Sequence, residues 1–308
     1  MACYVGLQNH LQGKPCNPSS PWTGTWFRQP YWQNKIGQYS LIEDYDSHSK
    51  WKVLQAWFNG IILFEWEPPF IRHRPVHDDP VPLRSSVKRW VARTLRSLNG
   101  RPTNGTSSLL RNKGRFQYDW AWTCRQRSYT HTILIWHIAT CYCELSPPMS
   151  NFPENLRLVE ISTCYDVATA LSKYCAYLVA FLPELLPGNS MDTKTVLHRV
   201  FLDAQRRLGR RRTGMSSDDK CTDIRELKLQ RRCRQTTFEK GVRLARQLEN
   251  LNNLHRWKVM AEFWAEAILY VAPSDNVGMH VEQLAKGGEF LTHLWALLSN
   301  AGILKQAT

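Results

Sequence analysis

Along most of the chain after residue 84, apolar residues recur with the 3.6-residue period of an α-helix. The pattern is clearest near the C-terminus, where Trp257, Met260, Trp264 and Ile268 fall on one helical face. The alternation of apolar and polar residues that marks a half-buried strand is nowhere sustained. The sequence therefore predicts a mainly α fold, an irregular multi-helix bundle with an aromatic-rich, loop-rich N-terminal segment.

Seven helices follow from this period together with capping and turn residues. The predicted helices cover 85–98, 131–145, 160–182, 192–208, 257–271, 277–284 and a last segment from 291 that stops at Asn300. Residues 99–115 are predicted to be a polar loop, and 209–220 an exposed loop. The helix at 277–284 carries the apolar residues Val277, Val281 and Leu284.

Changes in composition divide the chain into four regions. Residues 1–70 carry turn formers and aromatic side chains without a helical period, so no element is predicted there. Residues 71–208 are predicted to be a helical region, 209–236 a basic linker, and 237–308 a C-terminal helical domain.

The formal net charge of +14 favours an anionic partner, which could be a nucleic acid, an anionic membrane face or an acidic protein. No secretory signal opens the sequence, and no apolar stretch reaches the length needed to cross a bilayer. The nine cysteines lack the spacing of a secreted disulfide framework. We therefore expect free thiols and an intracellular protein, either cytoplasmic or peripheral to a membrane, with the nucleus as a further location.

Five collinear segments carry a family resemblance. They are Leu134–Thr140 (LIWHIAT), Ser172–Pro183, Phe238–Leu248, Trp257–Ala272 and Leu284–Trp295, the last containing Gly-Gly-Glu-x-x-Thr-x-x-Trp. Together they resemble the plant domain-of-unknown-function family 594 over residues 85–303. The resemblance implies similarity to the associated family 4220 region, without its membrane-spanning N-terminal part, and it implies no established activity. The motif residues that it singles out are Trp136, His137, Thr140, Gly287, Gly288, Glu289, Thr292 and Trp295.

The residues that could carry metal or catalytic chemistry have a simpler interpretation in packing. His137, Cys141 and Cys143 form one irregular cluster, whereas a structural zinc site uses four ligands, typically in two closely spaced pairs. Glu262 and Glu266 are predicted to lie on a solvated face, with Lys258 beside Glu262. We therefore expect no metal, no cofactor, no small-molecule substrate and no enzymatic activity. A cryptic hydrolase ranks last among the alternatives.

Two basic stretches remain as candidate anionic-partner sites, with ordinary solvated surface as the competing interpretation. The first is the helix at 85–98, which carries Trp90 and suits an anionic membrane surface or a partner groove. The second spans 206–234 and suits nucleic acid. Their candidate residues are Lys88, Arg89, Arg93, Arg96, Arg210, Arg211, Arg212, Arg231 and Arg232.

These observations lead to two hypotheses of function. The leading one is a non-enzymatic scaffold or interaction module that associates peripherally with membranes. The alternative is a nucleic-acid-associated protein that uses residues 206–234.

Overall fold

The computed structural model describes residues 32, 34–44, 80–112, 119–146, 155–208 and 217–303. Within them, the α-helices are α1 (Leu41–Asp44), α2 (Ser85–Ser97), α3 (Thr106–Asn112), α4 (Ala121–Cys124), α5 (Tyr129–Leu145), α6 (Asn155–Phe181), α7 (Ser190–Leu208), α8 (Ser217–Glu226), α9 (Thr237–Glu249), α10 (Asn253–Val271), α11 (Val277–Ala285) and α12 (Phe290–Asn300). Short 3-10 helices cover Pro183–Leu185 and Arg232–Arg234. The mainly α, multi-helix prediction is confirmed.

Four helices form the centre of the fold, with α5 packed on α9, α6 packed on α10, and α5 against α6. Helices α5 and α9 run in the same direction, since Lys240 bonds Gln126 just before α5 and Tyr142 bonds Glu249 at the other end. Gly241 permits their close approach, because a Cβ there would lie 2.7 Å from the Ile138 Cβ. The two helices therefore pack closely and in parallel.

The N-terminal residues 34–44 pack across α5 and α6. Two-residue strands β1 (Lys35–Ile36) and β2 (Val81–Pro82) pair antiparallel. The backbone N–H of Tyr39 then donates to the Lys173 carbonyl of α6 at 3.2 Å. Ile36 and Leu41 are buried in the same core as α5 and α6. This short segment is therefore part of the helical core, while residues 1–31 and 45–79 lie outside the described residues.

Helix α3 occupies part of the region predicted to be a polar loop. Its first turn is capped from α10: Glu266 accepts from the backbone N–H of Ser107 at 3.2 Å and of Ser108 at 2.7 Å, and from the Thr103 hydroxyl. Glu266 is fully buried, so its predicted solvated position is wrong. A carboxylate on a distant helix replaces the local cap that a sequence pattern would reveal.

The neighbouring Glu262 and Lys258 also pair differently from the prediction. Lys258 Nζ lies 3.3 Å from Glu160 of α6, and Glu262 accepts from the Asn112 side chain at 2.8 Å. Both carboxylates of α10 therefore hold α3 in place.

Helix α8 lies within the predicted basic linker and begins inside the predicted exposed loop. Cys221 and Ile224 bury its inner face. One guanidinium nitrogen of Arg246 on α9 donates to the carbonyls of Ile224, Arg225 and Leu227 at 3.1, 2.8 and 2.6 Å. This side chain satisfies the C-terminal carbonyls that a helix otherwise leaves unpaired.

Helix α11 exposes two of its apolar residues and buries a histidine. Val277 and Val281 are 53% and 54% exposed, whereas His280 is fully buried and stacks on Trp295. The His280–Trp295 stack therefore joins the inner face of α11 to α12.

Candidate functional site

The motif residues of α5 are held in the core by hydrogen bonds and stacking. Trp136 Nε1 donates to Thr123 Oγ1 at 3.0 Å, and its ring stacks on Phe263 with 3.9 Å between centroids. Thr140 Oγ1 accepts from Trp264 Nε1 at 3.0 Å. Both residues therefore use their polar atoms to fix α5 against its neighbours.

His137 is fully buried and joins three segments of the chain. Its Nε2 accepts from the backbone N–H of Leu41 at 3.1 Å, and Nδ1 lies 3.0 Å from Ser172 Oγ. Because an amide N–H can only donate, Nε2 is unprotonated and Nδ1 carries the proton toward Ser172. Burial lowers the pKa of His137 to about 3, and the charge of Lys173 adds to this effect. The ring is thus a neutral link between the N-terminal segment and α6.

Cys141 lies beside this histidine without forming a reactive pair. Its sulfur is 3.6 Å from His137 Nε2, but that nitrogen already accepts the Leu41 N–H. Burial raises the pKa of the Cys141 thiol, and the Glu144 carboxylate raises it further. The thiol therefore stays protonated at neutral pH, whereas nucleophilic cysteine chemistry needs the thiolate.

Two other buried cysteines, Cys143 and Cys164, and the half-buried Cys124 share this property. Burial raises the pKa of Cys143 to about 12 and those of Cys124 and Cys164 to about 11. Among the described residues, no group of three or more His, Cys, Asp or Glu side chains is arranged to hold a metal ion.

The Gly-Gly-Glu motif forms the break between α11 and α12. Gly287 and Gly288 adopt φ angles of 106° and 80°, a left-handed conformation that glycine accepts without strain. A Cβ on Gly288 would also lie 2.7 Å from His293 Nε2. Glu289 occupies the N-cap position of α12 and is largely buried, as is Thr292 in its first turn.

Trp295 completes the motif by connecting α12 to α11. Its ring stacks on His280 at 4.6 Å and an interplanar angle of 2°, and its Nε1 donates to the Ser274 carbonyl at 3.2 Å. Helix α6 contacts both motifs, since Ser172 bonds His137 and the Tyr174 hydroxyl accepts the Leu291 N–H at 2.9 Å. The motif residues thus organise the helix junctions.

The α2 basic face, defined as Lys88, Arg89, Arg93 and Arg96, is exposed along its length. The opposite face of α2 buries Val87 and Val91 and packs on α6 and α10. Lys88 Nζ lies 5.5 Å above the Trp32 ring. The basic side chains of α2 therefore face solvent, and its apolar side chains pack in the core.

The second basic stretch divides into internal and exposed parts. Arg207 pairs with Asp203 at 2.8 Å and with the fully buried Glu239 at 2.9 Å, so its charge is neutralised inside the protein. Arg231 and Arg232 are exposed. The predicted residues Arg210, Arg211 and Arg212 lie outside the described residues. A shallow groove of about 360 Å³ borders this region and is lined by Arg206, Arg207, Leu208, Asp223, Glu226, Leu227 and Lys228.

Comparison with known proteins finds one similarity. Residues 249–303 match the family described as "Protein of unknown function, DUF594". No curated protein and no solved structure matches the chain. The DUF594 segment covers α10, α11 and α12, and therefore contains the Gly-Gly-Glu motif and the aromatic residues that contact Trp136 and Thr140.

One further cluster of charged residues was not predicted from the sequence. It surrounds Lys240 and Arg243 on α9, near the start of α5, and involves residues from separate parts of the chain. Lys240 Nζ donates to Gln126 Oε1 at 2.8 Å, and the Arg243 guanidinium carbon lies 3.5 Å from the Trp122 ring centre. No local motif could reveal this cluster, because the fold alone brings its members together.

Among the described residues, no helix combines the length and the apolar character required to span a bilayer.

Proposed function

We propose that the chain is a non-enzymatic helical interaction module that attaches peripherally to anionic intracellular membranes through the α2 basic face. The observation that carries this proposal is the exposure of four basic side chains on one rigid helix. Because Val87 and Val91 are buried, α2 has no apolar face to insert, and its attachment is electrostatic.

We also infer that the family relationship extends beyond the DUF594 segment to residues 85–303, among plant proteins that carry the associated family 4220 region. Packing supports this extension. Trp136 and Thr140 of the upstream motif contact Phe263 and Trp264 inside the matched segment, so the two parts share one core.

Vesicle sedimentation tests the membrane proposal with the full chain. Phosphatidylcholine vesicles containing phosphatidylserine should bind the protein, and pure phosphatidylcholine should not. Replacing Lys88, Arg89, Arg93 and Arg96 by Gln should lower partitioning roughly a hundred- to a thousand-fold, at about 1 kcal/mol per basic residue near the surface. Binding should also weaken as salt is raised.

The matched control removes charge from the other basic stretch. The variant with Arg231→Gln and Arg232→Gln should keep most of its vesicle binding, and a two-residue variant with Lys88→Gln and Arg89→Gln provides the equal change in charge. Vesicle binding that is the same in the four-residue α2 variant and in wild type would overturn the proposal.

A nucleic-acid-associated protein is the second candidate, and the exposure of Arg231 and Arg232 supports it. The internal pairing of Arg207 removes one cation from this surface. If several phosphates are contacted, affinity for a single-stranded oligonucleotide should fall by orders of magnitude between roughly 50 and 200 mM salt. The loss of that affinity in the Arg231→Gln, Arg232→Gln variant would favour this candidate over the membrane.

A further inference from the structure

The groove of about 360 Å³ described above lies where helices α7 and α8 end. Helix α7 ends at Leu208 and helix α8 ends at Glu226, and both residues line the groove. We call it the Asp223 groove, formed by Arg206 and Leu208 of α7, Asp223 and Glu226 of α8, and Leu227 and Lys228 directly after α8. The cavity thus brings together charged and apolar side chains from two helices.

Contacts within the protein hold both walls of the Asp223 groove in place. On the α8 side, Arg246 of α9 donates to the Leu227 carbonyl at 2.6 Å. On the α7 side, Arg207 pairs with Asp203 at 2.8 Å and with the buried Glu239 at 2.9 Å. Arg207 also lines the groove, but these two carboxylates neutralise its charge. The walls are therefore fixed before any ligand arrives.

Two cations and two anions line the groove without neutralising one another. The cations are Arg206 and Lys228, and the anions are Asp223 and Glu226. In the part of the chain that the structure describes, no ion pair engages any of these four side chains. Their formal charges sum to zero, whereas the whole chain carries +14. The groove is therefore a balanced site on a strongly basic protein.

The carboxylate of Asp223 indicates what the groove accepts. Its Oδ2 atom is buried and has no hydrogen-bond partner among the described residues. A buried carboxylate oxygen without a donor is unfavourable, because it has lost its hydration and gained no hydrogen bond in return. An ammonium group supplies both N–H donors and the opposite charge. The unpaired oxygen therefore points to a ligand with a cationic donor.

The presence of both signs of charge disfavours ligands that carry only one. A phosphate or a nucleic acid near Arg206 and Lys228 would also meet two carboxylates, and a simple cation near Asp223 would meet two basic side chains. A ligand with one ammonium and one carboxylate group gains from both pairs. Leu227 is half-buried beside these charges and offers an apolar contact.

We propose that the Asp223 groove binds a free α-amino acid with an aliphatic side chain. The ammonium group of the ligand pairs with Asp223 and Glu226. Its carboxylate pairs with Arg206 and Lys228, and its side chain packs on Leu227. The cavity volume of about 360 Å³ lies within the range of small-molecule sites, roughly 300–1,000 Å³.

Three probes of similar shape separate the two charges of the ligand. They are L-leucine, 3-methylbutylamine, which lacks the carboxylate, and 4-methylpentanoate, which lacks the ammonium group. Saturation-transfer NMR titrations of the full chain at neutral pH and about 50 mM salt measure their affinities. L-leucine should bind with a Kd of about 1 mM or lower, as expected for an efficient ligand of this size. Each single-charge probe should bind at least about tenfold more weakly, because it loses charge-assisted contacts.

Variants of the groove assign each charge to its partner. Asp223→Asn should raise the Kd of L-leucine about tenfold or more and should not weaken 4-methylpentanoate. Arg206→Gln together with Lys228→Gln should weaken L-leucine and should not weaken 3-methylbutylamine. The matched control is Asp192→Asn, which removes an exposed carboxylate of α7 and should change each Kd less than about twofold. Thermal unfolding verifies that the variants are folded, and the double variant changes only exposed side chains.

Three results would overturn the inference. The first is the absence of saturable L-leucine binding by wild type up to about 10 mM. The second is an equal affinity for L-leucine and for either single-charge probe. The third is an equal effect of Asp223→Asn and Asp192→Asn, which would mean that the groove carboxylate does not contact the ligand. Because no residue of α2 lines the groove, these outcomes leave the proposal for the α2 basic face unaffected.

Discussion

The Nε2 atom of His137 accepts a hydrogen bond at 3.1 Å from the backbone N–H of Leu41, a residue 96 positions earlier in the chain. The same ring bonds Ser172 through Nδ1, so one neutral imidazole joins the N-terminal segment, α5 and α6. This geometry indicates that the histidine of the α5 motif has a structural role, which can be measured as its contribution to the free energy of unfolding.

Replacement of His137 should destabilise the fold strongly. His137→Ala leaves a cavity in a fully buried site and removes the acceptor of the Leu41 N–H, with an expected loss of about 3–5 kcal/mol. Urea unfolding followed by circular dichroism measures it. Ser172→Ala, which removes one hydroxyl from the same network, should cost only about 1 kcal/mol. A loss below that level for His137→Ala would contradict the role of the ring as a buried link.

The stability of the protein should decrease as the pH is lowered, in part because of His137. Its pKa is about 3 in the folded protein against 6.5 for an unperturbed histidine, so the unfolded chain binds more protons between these values. The contribution of this histidine is fully present above pH 6.5 and is lost as pH falls toward 3. The total loss is roughly 5 kcal/mol, at 1.36 kcal/mol per pKa unit.

This pH dependence is measured as the difference between wild type and His137→Gln in unfolding free energy from pH 7 to 4. The curve of the variant should be flatter. The partly exposed His198, whose pKa burial also lowers, serves as the control, and its replacement in the same way should flatten the curve less than that of the fully buried His137. Parallel curves for wild type and His137→Gln would show that the ring does not remain neutral.

Glu266→Gln should cost about 1–3 kcal/mol, because the amide nitrogen would face the N–H donors of α3 and leave one of them unsatisfied. Glu262→Gln should cost less than about 1 kcal/mol, since the half-buried amide can still accept from Asn112. Denaturant unfolding of both variants measures the difference. Equal losses of stability would mean that the buried Glu266 cap stabilises α3 no more than the bond between Glu262 and Asn112 does.

Gly241→Ala should destabilise the fold by about 1–3 kcal/mol through overpacking between α9 and α5. Gly278, in α11, has open space where a Cβ would lie, so Gly278→Ala should be neutral or stabilise by about 0.4–1 kcal/mol. Thermal unfolding of the two variants measures both effects: the melting temperature should fall for Gly241→Ala and stay equal or rise for Gly278→Ala. A shift of the same sign in both variants would contradict the close approach of α5 and α9.

Cysteine reactivity should follow burial. Cys233 is exposed, whereas Cys141, Cys143 and Cys175 are buried and burial raises the pKa of each. Iodoacetamide under native conditions, read by peptide mass spectrometry, should label Cys233 at least tenfold faster than these three. Similar labelling rates would show that the core opens on the timescale of the reaction. Addition of urea should abolish the difference.

The sequence predicts most of the elements whose stability is local or periodic, although α9, which has a capping box and an apolar stripe, is not among the seven predicted helices. Helices α2, α5, α6, α7 and α10 agree with their predicted segments within a few residues because each carries an apolar stripe that the core buries. Helices α3 and α8 were missed because their ends are satisfied by Glu266 and Arg246, which lie far away in sequence. Tertiary caps leave no signature near the helices that they stabilise.

The sites follow the same distinction. Exposure of Lys88 and Arg93 follows from their spacing on an amphipathic helix, so the α2 basic face could be derived from its pattern alone. The contacts of Lys240 with Gln126 and of Arg243 with Trp122 could not, because they depend on the parallel packing of α5 and α9. The ion pair between Arg207 and Glu239 could not be predicted from the sequence either. Because of it, one arginine of the basic stretch at 206–234 is paired inside the protein and is not part of an exposed basic surface.

The bond between Trp264 and Thr140 joins residues 124 positions apart, and it has a consequence for synthesis on the ribosome. At 5–20 residues per second, roughly 6–25 s separate the emergence of α5 from that of its partner on α10. During that interval the apolar surface around Trp136 has no cover from the C-terminal helices. The nascent chain therefore depends on slow, long-range docking of α10, and we expect chaperones to bind it most strongly just before α10 leaves the exit tunnel.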